Sequence, residues 1–140
     1  MRLITIGADP EVFVREKKGV TSVIGHLGGS KYAPRMIQGY GLQEDNVLAE
    51  YSMPAVIASR GCTEFSRTVK QGHDLIEASI ADAGLRTFKA SSHRFDPEAL
   101  KSYGPKALEF GCDPDRNAYT GDVNPTPPND STLRTAGGHV

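Results

Sequence analysis

The residues able to do chemistry sit in short clusters. Asp9 and Glu11 stand two apart in Gly7-Ala8-Asp9-Pro10-Glu11-Val12-Phe13-Val14, with Leu3, Ile4 and Ile6 just before them. In an extended strand, residues i and i+2 point to one face, so the two carboxylates project side by side. Like charges at that spacing repel unless a cation or a shared proton lies between them. Mg²⁺ and Mn²⁺ favour such hard oxygen ligands. Two readings are open from this motif: a divalent-cation site, or a solvated strand edge with Asp-Pro as a turn. Glu50 is a lone carboxylate in an otherwise apolar run, and it too reads either as a ligand or as the wet face of a half-solvated strand. Arg134 and His139 lie in Thr132-Leu133-Arg134-Thr135-Ala136-Gly137-Gly138-His139-Val140, which reads as a strand. The glycine-rich stretch Gly25-His26-Leu27-Gly28-Gly29-Ser30-Lys31 ends in a lysine but lacks the GxxxxGK[ST] spacing of a phosphate-binding loop. Such loops more often serve turns.

These side chains need elements to position them. Residues 3–15 read as a strand broken at Gly7, followed by a turn over 16–19 and a β-branched return, Val20-Thr21-Ser22-Val23-Ile24, as hairpin partner. Residues 43–54 read as a second acidic strand, with Asn46, Leu48 and Glu50 on one face and Val47, Ala49 and Tyr51 on the other. Over 61–83, Phe65, Val69, Ile76, Ile80 and Ala83 recur at helical spacing, with Leu75 beside them. Thr63 suits the N-cap and Gly84 the stop. The apolar stripe packs on a sheet, and His73 within it is structural. Residues 85–92 alternate like a strand, and Asp96-Pro97-Glu98 opens a short helix. Residues 113–131 hold four prolines and read as a long loop.

Composition narrows the classes. A chain of 140 residues forms one domain with a real core. Sixteen basic against 17 acidic residues, net −1, leave no basic footprint for nucleic acid or a membrane surface. No apolar run spans a bilayer, and the N-terminal apolar stretch is too short for a signal peptide. A cytoplasmic location follows as the expectation. Cys62 and Cys112 are far apart and form no CxxC pair, so zinc is not indicated. Reduced thiols are the expectation, with a Cys62–Cys112 bridge left open. Cys112 has no activating partner and reads as a buried structural residue.

Taken in order, Gly-Ala-Asp-Pro-Glu-Val-Phe at 7–13, Gly-Gly-Ser-Lys at 28–31, Glu-Asp-Asn-Val-Leu-Ala-Glu at 44–50, Phe-Gly-Cys-Asp-Pro-Asp-Arg-Asn-Ala-Tyr at 110–119 and Arg-Thr-Ala-Gly-Gly-His-Val at 134–140 form a set that covers nearly the whole chain. The set resembles the phage-type carboxylate–amine (COOH–NH2) ligases of the glutamine-synthetase-like superfamily. The resemblance implies an α+β fold: an antiparallel curved sheet, the N-terminal half of a glutamine-synthetase-like catalytic domain, with a long helix packed on one face. It implies Mg²⁺ (or Mn²⁺) and ATP on the concave face. Asp9, Glu11, Glu50 and His139 would be metal ligands. Lys31, Asp45 and Arg134 would face ATP or substrate, with Arg134 in the catalytic role because a guanidinium grips two oxygens at once. The implied reaction makes an acyl phosphate from a small-molecule or peptide carboxylate, which an amine converts to an amide. Charge neutralisation by metal and basic groups is what such a transfer needs. A phage origin would place the protein in host cytoplasm.

The sequence given stops at Val140, one residue before the second histidine of the family's Gly-Gly-His-x-His. The expectation is therefore a truncated ligase domain, inactive by itself, whose unpaired sheet edge favours self-association. The alternative is a non-catalytic viral structural or interaction module on the same fold.

Overall fold

The first acidic motif and the residues before it form two strands with an irregular stretch between them. In the computed structural model, which describes residues 3–109, 116–125 and 131–140, β1 (Thr5–Ile6) and β2 (Glu11–Glu16) flank an irregular stretch that begins at Gly7. β2 turns over Lys17-Lys18 into β3 (Gly19–Thr21), with Val14 opposite Thr21 and Glu16 opposite Gly19. This is the hairpin the β-branched return indicated.

The second acidic segment is a hairpin, which corrects the expectation of a single strand over 43–54. After β4 (Arg35–Ile37), β5 (Tyr40–Asp45) reverses at Asn46-Val47 into β6 (Leu48–Ser52). Asn46 takes φ 55°, a left-handed conformation that asparagine tolerates, and its Oδ1 accepts the Val47 N–H at 2.8 Å. Asp45 and Glu50 therefore stand on neighbouring strands.

After β7 (Val56–Ile57) come the helix α1 (Gly61–Ile80), β8 (Arg86–Phe88), β9 (Ser92–Arg94), the short helix α2 (Pro97–Ser102) and β10 (Leu133–Thr135). The main sheet runs β3-β2-β6-β5-β4 with β8 also on β2; β1 pairs β7, and β9 pairs β10. Every named pairing is antiparallel. The chain is thus mixed α+β, with antiparallel sheets and one long helix.

α1 covers one face of the sheet. Ile76 and Ile80 are buried against Val14, Leu42, Ala49 and Tyr51, with Phe65, Val69 and Leu75 partly buried around them. Gly72 belongs to the same stripe: a Cβ there would lie 2.2 Å from Tyr51 Cε2, so only glycine lets the helix settle on that ring. The Tyr51 hydroxyl donates to Val69 O at 2.8 Å and the Tyr40 hydroxyl to Thr68 O at 2.9 Å. Burial, with Tyr40 beside it, pushes the Tyr51 hydroxyl up to about 12. Thr63 lies inside the helix and does not cap it, because a 3₁₀ turn, Ala58–Arg60, runs straight into α1 with Arg60 at the N-cap. Gly84 ends the helical region in the left-handed conformation (φ 73°), as the sequence indicated. His73 holds a structural place: its Nε2 is 3.0 Å from Thr87 Oγ1 and ties α1 to β8.

The opposite face carries a second cluster of Phe13, Val47, Leu48, Phe95, Leu100 and Ala107. Asp96 caps α2 by accepting the Glu98 and Ala99 N–H groups, each at 3.0 Å, with Pro97 at the first position. No helix among the described residues is long and apolar enough to cross a membrane. Cys62 is exposed, while Cys112 and much of the expected 113–131 loop lie outside the described residues.

Candidate metal centre

The register of three strands builds the site. Glu11 on β2 stands opposite Glu50 on β6, which stands opposite Gln43 on β5. Residues directly opposite in an antiparallel pair share a face, and Asp45 joins that face two residues on from Gln43. The alternate residues Val12, Leu42, Ala49 and Tyr51 turn the other way, into the core beneath α1. The pleat thus sends Glu11, Asp45 and Glu50 to the face away from α1, at the margin of the Phe13–Leu48 cluster. Glu11, Asp45 and Glu50 each offer an oxygen within 4.8 Å of the others, and all three are half-buried.

That convergence is electrostatically costly for a bare protein. Burial raises the pKa of Glu11; the Gly137 N–H opposes the rise, Asp45 and Asp9 add to it, and His139 opposes it. Burial also raises Glu50, against a hydrogen bond from Gln43, with Asp45, Glu11 and Asp9 adding repulsion. Gln43 Nε2 donates to Glu50 Oε2 at 2.6 Å, which fixes that carboxylate. A divalent ion among the three would screen the repulsion and offset the desolvation cost. Three carboxylate oxygens with room for water suit Mg²⁺ or Mn²⁺.

Asp9 and His139 form an adjoining pair. Asp9 Oδ1 lies 3.3 Å from His139 Nδ1 and accepts the His139 N–H at 2.6 Å. Residues 137–139 reach Asp9 and the start of β2 by main-chain bonds, Asp9 N–H to His139 O at 3.2 Å and Glu11 N–H to Gly137 O at 3.0 Å. Of the expected metal ligands, Glu11 and Glu50 converge together with Asp45, which the resemblance had placed toward ATP or substrate. Asp9 and His139 stand beside that group.

The expected anion-facing residues go elsewhere. Arg134 is buried, and its guanidinium donates to Ala107 O at 2.7 Å, Ser131 O at 2.8 Å, Leu133 O at 2.9 Å and Asn46 Oδ1 at 3.3 Å. It ties β10 to the tip of the β5–β6 hairpin. These donors hold protein oxygens. Lys31 is exposed in the tight turn between Ser30 and Ala33.

The glycine-rich loop wraps a carboxylate of its own chain. Glu44 Oε1 accepts N–H groups from Gly25 at 2.9 Å, Leu27 at 3.2 Å and Gly28 at 2.9 Å, and Lys106 Nζ lies 3.3 Å from Oε2. Glu44 and Gln43 were not singled out in the sequence. Alternation along 40–45 would have put Gln43 and Asp45 on one face, but only cross-strand register brings Gln43 to Glu50. Comparison of the chain with protein-family models, curated proteins and solved structures finds no match.

Proposed function

We propose that Glu11, Asp45 and Glu50 bind a divalent cation, Mg²⁺ or Mn²⁺, and that this is the metal site of an ATP-dependent carboxylate–amine ligase. The observation that carries the cation is the meeting of three half-buried carboxylates from three strands within 4.8 Å. The ligase half of the proposal rests on the ordered motifs of the sequence. In that chemistry a carboxylate oxygen attacks the γ-phosphorus of ATP and ADP leaves. An amine then attacks the acyl carbon, and phosphate and a proton leave. The bound cation would neutralise phosphate charge. Asp9 and His139 stand close enough to extend the site toward a second ion or the nucleotide.

Calorimetric titration with Mn²⁺ tests the cation. Saturable binding that is lost in Glu11→Gln and Glu50→Gln supports it; a flat titration of the unaltered chain overturns it. A fluorescent ATP analogue that binds only with Mn²⁺ present supports the ligase reading, and binding that ignores the metal counts against it.

A second reading, a non-catalytic module that self-associates, is favoured by β4. This strand is one edge of the main sheet, and its Met36 is 64% exposed. Sedimentation would then show a dimer whether or not Mn²⁺ is present.

A further inference from the structure

Residues 137–139 meet β2 differently from an ordinary strand partner. In an antiparallel pair, opposite residues exchange two main-chain bonds, each N–H going to the other's carbonyl. Here the bonds from β2 and the stretch before it are of that kind: Asp9 N–H to His139 O at 3.2 Å and Glu11 N–H to Gly137 O at 3.0 Å. The return donors instead reach side chains. Gly137 N–H donates to Glu11 Oε2 at 2.8 Å, and His139 N–H to Asp9 Oδ1 at 2.6 Å. Each carboxylate therefore folds back onto the strand beside it.

The approach depends on Gly138. A Cβ there would lie 3.0 Å from Pro10 Cα and 3.4 Å from Asp9 O, both backbone atoms that cannot swing aside. At Gly137 a Cβ would meet only Glu11 Oε2, at 3.8 Å. The pair of glycines thus has two uses. The second admits the backbone, and the first presents an N–H to the carboxylate.

We infer that residues 137–139 are a clasp that orients Glu11 and Asp9, so that clasp docking and cation binding at Glu11, Asp45 and Glu50 strengthen each other. This rests on the cation reading above. An ionised carboxylate has about four lone-pair sites, and the Gly137 N–H occupies one of them. The amide fixes a side chain that would otherwise have to be ordered by the ion itself. Groups that orient a ligand in this way govern metal affinity although they do not touch the metal. The coupling is reciprocal: whatever docking adds to cation affinity, the cation adds to docking. Gly137 and Gly138 are positioning residues on this account.

The test uses the whole chain and Mn²⁺. Gly138→Val should weaken Mn²⁺ binding about 10-fold or more, the range for loss of an orienting partner, with the far-UV circular dichroism of α1 unchanged. In the unaltered chain, saturating Mn²⁺ should slow hydrogen exchange at the Gly137 and His139 amides, an effect that a merely structural contact would not show. Should Gly138→Val fail to fold, the exchange measurement decides. Equal Mn²⁺ affinity in a folded Gly138→Val, or exchange that Mn²⁺ leaves unchanged or accelerates, would overturn the clasp while leaving the cation site standing. No Mn²⁺ binding by the unaltered chain would overturn both.

Discussion

Removing one charge from the acidic group should make the metal-free protein more stable. Glu50→Gln keeps the shape of the side chain and an acceptor for Gln43, whose Nε2 now donates to Glu50 Oε2 at 2.6 Å. It deletes the repulsion from Glu11 and Asp45. At the 4.8 Å limit that bounds the group, each pair costs about 1 kcal/mol at the dielectric of water and about 3.5 kcal/mol at an effective dielectric of 20. The half-exposed setting favours the lower figure, so two neighbours cost about 2 kcal/mol. Weakening a charge-assisted hydrogen bond to a neutral one takes back about 1 kcal/mol. A net gain of about 1 kcal/mol remains, which raises the melting temperature of a chain this size by about 3 °C. The gain depends on pH in a defined direction. Glu50 titrates above its usual 4.5 in the folded protein, so the folded state keeps a proton that the unfolded state has lost. Its contribution to stability is fully present below pH 4.5 and is lost as pH rises through the raised value. Glutamine resembles the protonated acid, so variant and wild type should melt together below that window and separate above it. The assay is thermal melting in EDTA across pH, repeated with Mn²⁺. A cation at 100 times its dissociation constant should stabilise the wild type by about 2.7 kcal/mol and the variant by much less. A variant that is less stable in EDTA, or one that keeps the full Mn²⁺ shift, would refute the reasoning.

Other substitutions test the parts that hold the site. Gly72→Ala drives a methyl into the Tyr51 ring and should cost about 1–3 kcal/mol of stability in chemical denaturation. Glu44→Ala strips the acceptor from three loop amides and should cost about 1–3 kcal/mol, with faster exchange at Gly25 and Gly28. Arg134→Met takes the guanidinium donors from Ala107 O and from Asn46 Oδ1, which keeps only the Val47 N–H; a loss of about 3 kcal/mol in urea melts is expected. Asp96→Ala should cost about 1 kcal/mol as the α2 cap goes, without changing Mn²⁺ affinity.

Features written in local signals were legible in the sequence. The strand break at Gly7, the β2–β3 hairpin, the Gly84 stop and the Asp96-Pro97 cap each depend on a few adjacent residues. The apolar stripe of α1 was legible from its period, but its contact with Tyr51 through Gly72 was not. That contact needs the helix and β6 in place together. The Asn46 turn was hidden because acidic and apolar residues continue through it without a glycine or proline. A single strand over 43–54 would put Asp45 on the same strand as Glu50, whereas the two stand on adjacent strands of a hairpin, Asp45 opposite Leu48 and Glu50 opposite Gln43. Arg134 shows the same limit from another side. A basic residue before Gly-Gly-His reads as an anion ligand; the carbonyls of Ala107, Ser131 and Leu133 that its guanidinium meets lie far away in sequence or on its own segment's backbone. Glu11, Asp45 and Glu50 are each nameable from the sequence, by type or by resemblance, whereas their convergence, with Gln43 on Glu50, comes only through cross-strand register.

The central claim is that Glu11, Asp45 and Glu50 act as one cation site. Its most direct test is calorimetric titration of the intact chain with Mn²⁺ at neutral pH, alongside Glu11→Gln, Asp45→Asn and Glu50→Gln. Saturable binding by the wild type, weakened in all three variants, is the expected result. Absence of saturable binding, or binding that survives all three substitutions, would contradict the account.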